Sequence, residues 1–145
     1  MKNSDSGLST VEVLFALGIM AIVLLAVLNG FNQSAAQGAS SKNRIAASED
    51  AKKILEHARS IADTNNLTGT GSVSDQSYWT DWIQSETTAG TFSNLTGATR
   101  ALTTFQVGTG EDPLGVRATV TWQEKGGTKS YSLDTMMTKR KVAQQ

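Results

Sequence analysis

The sequence contains no cysteine in its 145 residues. This absence excludes disulfide bonds, zinc–thiolate sites and cysteine nucleophiles. Histidine is almost as scarce, since His57 is the only one. Without a second histidine or a cysteine nearby, we expect His57 to be a partly exposed helical side chain rather than a catalytic base or a metal ligand. No grouping of serine, histidine and aspartate has support either, so we expect no enzyme activity, no cofactor and no bound metal.

The sequence also lacks an excess of charge of either sign, because 13 Lys and Arg residues balance 13 Asp and Glu residues. A balanced chain argues against nucleic acid as a partner. The segment Lys139–Lys141 is basic, but it has no interleaved aromatic residues, and we interpret it as a solvated terminus.

Apolar residues are concentrated in the first 31 positions. They include a predominantly apolar run of 16 residues, Val13–Leu28, inside an uncharged stretch that extends to Ser41. Glu12 is the last charged residue before this run. A carboxylate in lipid costs roughly 2.5–3.5 kcal/mol at a helix centre on insertion scales, so an acid at this position suggests a function.

The residues before the run sharpen this interpretation. Gly7 is followed by Leu8, Ser9, Thr10, Val11 and Glu12, which gives G-L-S-T-V-E directly before the apolar residues. This segment resembles the type IV pilins and the pseudopilins of type II secretion, which share a short polar leader ending in glycine, four residues, a glutamate and an apolar helix. Residues 12–17, E-V-L-F-A-L, are most similar to minor pilins of the PilV type and minor pseudopilins of the GspI type.

The resemblance implies a maturation and assembly pathway. Prepilin peptidase would cut between Gly7 and Leu8 and methylate the new amino group of Leu8. Glu12 would neutralise the terminal amine of a neighbouring subunit. The implied partners are other pilin or pseudopilin subunits, the prepilin peptidase, the inner-membrane assembly platform and the membrane itself. The implied location is the bacterial inner membrane, followed by a periplasmic pseudopilus or a cell-surface pilus. The chain departs from many pilins in having no disulfide near the C-terminus.

Other interpretations of the apolar segment and of the domain that follows it remain open. A secretory signal peptide would be cleaved near Ala36, but its apolar region usually has 7–15 residues and its start is basic. Here Lys2 is opposed by Asp5. A plain membrane anchor is the second alternative. A third is an anchored, adhesin-like binding domain that is not built into a filament and uses Trp79 and Trp82 as its contact.

The periodicity predicts an α+β fold of the pilin type. We expect a leader at 1–7, a transmembrane and assembly helix at 8–31, and a periplasmic or extracellular domain at 32–145. The helix should run without proline from Leu8 to about Thr64 and end at Asn65, Asn66 and Gly69, and local melting near Asn29–Gly30 is a hypothesis. One face of its second half should be apolar: Ala47, Ala51, Ile54, Leu55, Ala58, Ile61 and Ala62. Glu49 or Asp50 could pair with Lys53 on the other side.

The rest of the chain divides into a variable loop at 65–98 and an antiparallel sheet at 99–138. Within the loop, Trp79, Trp82 and Ile83 predict a short helix with one apolar face, which we interpret as core. Three alternating strands are predicted, with a hairpin turn at Glu124–Gly127. Their inward residues should be Ala101, Thr103, Phe105 and Val107, then Val116, Ala118, Val120 and Trp122, then Tyr131, Leu133, Thr135 and Met137. Loop 108–115 contains Glu111 and Asp112, but two adjacent acids do not supply the 6–8 oxygens of a calcium site, so we interpret it as a turn.

Overall fold

The computed structural model of the chain describes residues 9–64, 67–68, 70–109 and 113–138. Several predicted features lie outside these ranges: the leader and the Gly7–Leu8 cleavage site, the helix stop at 65, 66 and 69, the acids Glu111 and Asp112, and the basic segment Lys139–Lys141. The described elements follow the order α1 (Thr10–Asp63), α2 (Gln76–Thr88), β1 (Thr99–Gln106), β2 (Leu114–Glu124) and β3 (Gly127–Met137). The strands form an antiparallel sheet in the order β1-β2-β3. The predicted α+β layout of a long helix and a small antiparallel sheet is therefore confirmed.

The chain divides into two compact units, Met1–Ser40 and Ser41–Gln145. The described part of the first unit is the apolar part of α1. An 18-residue window of this helix has a mean hydropathy of 2.8 and is 0% buried, so α1 is long and apolar enough to cross a membrane. Large side chains such as Leu14, Phe15 and Phe31 are exposed all round it. The helix continues through Asn29 and Gly30, so this segment is helical here.

The second unit has one hydrophobic core, to which α1 contributes a single stripe. Six of the seven predicted residues of this stripe are buried and Ile61 is partly buried. Because the stripe is rich in alanine, the helix presents a smooth surface to the core. β2 supplies the facing residues, Val116, Ala118, Val120 and Trp122, all buried as predicted. β3 also alternates as predicted, from the partly buried Tyr131 to the buried Met137.

The predicted inward face of β1 is wrong by one residue. Leu102 is 1% exposed, whereas Phe105 is 41% exposed. Leu102 lies opposite Ala118 in the ladder, and directly opposed residues share a face of the sheet. Phe105 instead lies opposite Gly115 on the outer face, where its ring occupies the space that a side chain at position 115 would need. β1 has apolar residues at both alternations, so the pattern alone does not choose between its faces.

The predicted loop 65–98 contains α2, a helix of 13 residues. Asp75 caps it, accepting bonds from the backbone amides of Ser77 and Tyr78. The hydrogen bond from the Ser77 hydroxyl, together with backbone amides, lowers the pKa of Asp75 to about 2. Trp79 is fully buried and its Nε1 donates to the carbonyl oxygen of Val73 at 2.9 Å. The interpretation of Trp79 as core is therefore confirmed.

The segments on either side of α2 are partly core rather than simple flexible borders. Four of their hydrophobic residues are buried: Leu67, Val73, Phe92 and Leu95. The turn between β2 and β3 agrees with the prediction, with Lys125 and Gly126 between the strands and a φ of 113° at Gly126. This φ belongs to the region that glycine adopts most readily.

Candidate functional site

The first turn of α1 holds Glu12, the residue that the resemblance implies to be the assembly charge. Ser9 caps this turn: its hydroxyl oxygen accepts from the amide of Val11 at 3.2 Å, and its carbonyl accepts from the amide of Val13 at 3.2 Å. With Ser9 as the cap, Glu12 is the third residue of the helix. Ser9-Thr10-Val11-Glu12 therefore has the S-x-x-E spacing of a capping box.

This position gives Glu12 a local effect that the sequence analysis missed. A carboxylate in the first turn interacts favourably with the helix dipole by about 0.3–1 kcal/mol. The signal was readable, because Ser or Thr three residues before Glu and ahead of an apolar run marks a helix start. Any test of Glu12 in assembly must therefore separate its charge from its contribution to the first turn.

Among the described residues of α1, no basic side chain lies near Glu12. Glu12 is exposed, and among residues 9–64 the first basic side chain after it is Lys42. The described ion pairs of the chain involve other residues. Gly7 and Leu8, the other predicted site residues, lie outside the described residues, so the arrangement of the cleavage site stays a prediction.

A buried ion pair lies in the second unit, where the sequence predicted a surface pair. Asp50 and Arg100 are in contact at 2.7 Å, with side chains that are 1% and 4% exposed. Ser93 completes the group: its amide and hydroxyl donate to Asp50 at 2.9 and 2.7 Å, and its carbonyl accepts from Arg100 at 2.6 Å. The expected pairing of Asp50 with Lys53 is wrong, because Lys53 donates instead to the carbonyl oxygen of Thr91 at 2.7 Å.

This group joins three parts of the fold: α1 through Asp50, the segment after α2 through Ser93, and β1 through Arg100. The Arg100 guanidinium also lies 4.8 Å from the centre of the Phe92 ring, within range of a cation–π contact. Burying two charges is costly unless both are paired and hydrogen-bonded. All the polar atoms named here have partners. We therefore interpret the group as a structural contact that holds the three segments together rather than as a reactive site.

His57 lies in a second cluster, between α1 and α2. Its ring stacks on Trp82 with centroids 4.1 Å apart and meets the edge of Trp79 at 5.5 Å. Its Nε2 is 2.7 Å from the hydroxyl oxygen of Tyr78. Burial lowers the pKa of His57, and the nearby charge of Glu86 acts in the opposite direction. The predicted partly exposed helical histidine is thus observed, and aromatic rings are its main neighbours.

The chemistry available in the described residues is limited. Within them, no group of three or more His, Asp or Glu residues could hold a metal ion. A cleft of ≈ 270 Å³ between α2 and β1 is lined mainly by threonine and glutamine side chains. Its one charged lining residue, Arg100, is already bonded to Asp50.

No protein-family model, no curated protein and no solved structure matches this chain, so its own residues alone bear on its function.

Proposed function

We propose that this protein is a structural subunit, of the minor class, in a type IV pilus or a type II secretion pseudopilus. The observation that carries the proposal is the position of Glu12: it lies in the first turn of a long apolar helix and five residues after Gly7. A plain anchor or a signal peptide has no use for a carboxylate at the start of its apolar segment, because the charge opposes insertion.

The apolar surface of α1 fits both roles of such a helix. In the membrane, exposed side chains such as Leu14, Phe15 and Ile22 contact lipid. In a filament, the same side chains pack against the helices of other subunits. Helix packing of this kind needs no change in the soluble domain, so one segment can serve first as anchor and then as core of the assembly.

Glu12 then sets the register between neighbouring helices. In an apolar environment an unpaired carboxylate is expensive, and an opposite charge offsets much of that expense. The amine created by cleavage after Gly7 would supply this charge from a second subunit. Because Glu12 has no basic neighbour in the described part of its own helix, the pairing is available to another chain.

The second unit supports a structural role rather than catalysis or adhesion through tryptophan. Trp79, half of the contact surface considered for an adhesin-like domain, is buried in the core. Trp82 is engaged with His57. We accordingly assign the domain to subunit packing and propose no enzyme activity for it.

Mass spectrometry of the protein purified from its own cells tests the proposal. The expected mature chain begins at Leu8 and carries one methyl group on its amino nitrogen. A Gly7→Leu variant serves as the control and should keep residues 1–7, because a side chain at the cut blocks close approach to the backbone. A wild-type chain that begins at Met1 in cells with the peptidase, or one cut near Ala36, would reject the proposal.

A further inference from the structure

The end at which α1 enters the second unit is formed by residues that are far apart in sequence. Asn43, in the first turn of this unit, donates through Nδ2 to Oε1 of Glu124 at 3.0 Å. Trp122 donates through Nε1 to the same oxygen at 2.7 Å. Because Glu124 is the last residue of β2, these two bonds hold the β2–β3 turn beside the first residues of the unit. We call this end, residues 41–44 and 124–129, the entry face.

Basic side chains dominate the entry face. Two of them come from α1, on either side of Asn43, one from the turn, and one from β3, opposite Trp122 in the ladder: Lys42, Arg44, Lys125 and Lys129. All four are exposed. The two ion pairs in the described part of the chain involve other residues, so these four charges are available to a partner in solution or at a surface.

Acidic side chains offset little of this charge. Glu124 is the only acid of the entry face, and it is partly buried beneath two hydrogen bonds. The next acids along α1 are Glu49 and Asp50, more than one helical turn away, and Asp50 is bound to Arg100. Because the whole chain has no net charge, the entry face is a local excess of positive charge rather than part of a generally basic surface.

The entry face also follows the apolar segment in sequence. The uncharged stretch ends at Ser41, and Lys42 follows Phe31, the last large apolar residue of that stretch, by 11 residues. Basic residues within about 15–20 residues of a membrane span influence how the chain is held in the membrane. Where α1 crosses a membrane, the chain therefore tethers the second unit to that membrane by its basic end.

We propose that the entry face binds the anionic phospholipid headgroups of the membrane that α1 crosses. A cluster of four lysine and arginine residues beside a membrane span has the composition that recognises anionic lipid. Nucleic acid is the other polyanion for such a cluster, but the entry face has no aromatic side chain on which bases could stack. The inference requires α1 in a membrane and not in a filament, so it stands or falls separately from the subunit role.

Fluorescence quenching by a headgroup-labelled lipid tests this contact. The full-length chain carries a bimane fluorophore on Thr128→Cys in the entry face, since the natural chain has no cysteine. It is reconstituted into vesicles of phosphatidylcholine alone, or of phosphatidylcholine and phosphatidylglycerol in equal parts. Both contain the same fraction of a zwitterionic lipid with a nitroxide on its headgroup. We expect roughly two- to fivefold stronger quenching in the anionic vesicles, and we expect high salt to remove the difference.

Two controls separate the entry face from the rest of the domain. The same fluorophore on Thr103→Cys, on the exposed outer face of β1, should respond little to the lipid charge. Lys125→Gln should lower the quenching of the Thr128→Cys label in anionic vesicles toward its neutral-vesicle level. Lys52→Gln removes an exposed lysine of α1 outside the entry face and should leave that quenching unchanged.

Three results would overturn the inference: equal quenching in the two kinds of vesicle, equal effects of Lys125→Gln and Lys52→Gln, or an equal response of the label at Thr103→Cys. Binding of the detergent-solubilised chain to DNA that depends on Lys125, without an effect of lipid charge, would assign the entry face to nucleic acid and overturn it as well. A wild-type chain that begins at Met1 in its own cells would reject the proposed function and leave the headgroup contact standing.

Discussion

The ring of His57 lies parallel to the ring of Trp82, with an interplanar angle of 6° and centroids 4.1 Å apart. His57 comes from α1 and Trp82 from α2, so this stack fastens the one helix to the other. Tyr78 adds a hydrogen bond to the same imidazole. The only histidine of the chain is thus part of the packing, and its titration should affect stability.

We expect the domain to lose stability as the pH falls from 7 to 5.5. Burial lowers the pKa of His57 in the folded state, so the unfolded state binds a proton more readily. The contribution of neutral His57 is complete above its unfolded pKa of about 6.5 and is lost as the pH falls below that value. Urea unfolding followed by tryptophan fluorescence should show a falling midpoint. A His57→Gln variant should have a lower midpoint at pH 7 and a flatter pH dependence, whereas a wild-type midpoint that is constant or rises on acidification would contradict this account.

The Asp50–Arg100 pair should be the most sensitive polar contact of the domain. Asp50→Asn leaves the Arg100 guanidinium buried without an opposite charge and should lower the free energy of unfolding by about 3–5 kcal/mol. Replacing both residues, with Asp50→Leu and Arg100→Met, should cost less than the sum of the two single changes, because no lone charge remains. The measurement is chemical denaturation of the wild type, Asp50→Asn, the single variants Asp50→Leu and Arg100→Met, and the double variant.

The matched control for that pair lies on the outer face of the sheet. Arg117 and Asp134 form a bidentate contact, with both hydrogen bonds 2.7 Å long, but their side chains are 51% and 46% exposed. Asp134→Asn should leave the unfolding midpoint almost unchanged, because water screens the pair. Equal losses at the buried and the exposed pair would show that burial does not decide the cost.

A fragment that begins at Asn32 should be soluble and monomeric at low concentration. It omits the run Val13–Leu28 but keeps the whole described core, which begins at Ala47. Circular dichroism should show mixed helix and sheet, and unfolding should be cooperative. Persistent aggregation, or a spectrum of helix alone, would contradict a core shared by α1 and the sheet.

Much of this fold could be predicted because its signals are local. The alanine stripe of α1 repeats every three or four residues, and β2 alternates cleanly from Val116 to Trp122 with a glycine turn after it. The inward face of β1 could not be predicted, because Leu102 and Phe105 lie on different faces and both are apolar. The inward face is determined by the pairing of Leu102 with Ala118 and by the space over Gly115, which the Phe105 ring fills. Both features belong to the neighbouring strand β2.

In the candidate sites too, local features could be predicted from the sequence, whereas features that depend on packing could not. Glu12 was singled out from its position before the apolar run, and its role in assembly stays a prediction. Its capping-box spacing with Ser9 was also readable. The partner of Asp50 was not, because Arg100 is 50 residues away in sequence and the nearer Lys53 offered a plausible helical pair. The ring neighbours of His57 likewise depend on how α2 packs on α1.

The most direct test of the account measures how much of the subunit enters sheared filaments when Glu12 is changed. Glu12→Gln removes the charge but keeps a side chain that suits the capping box, whereas Glu12→Ala removes both. Immunodetection in the membrane and sheared-filament fractions compares each variant with the wild type, with cleavage after Gly7 as the control for processing. We predict that the wild type appears in the filament fraction and that both variants remain in the membrane, cleaved and at normal abundance. Wild-type levels of both variants in filaments would contradict the assignment of Glu12 as the assembly charge, and a wild-type protein absent from the filament fraction would contradict the subunit role itself.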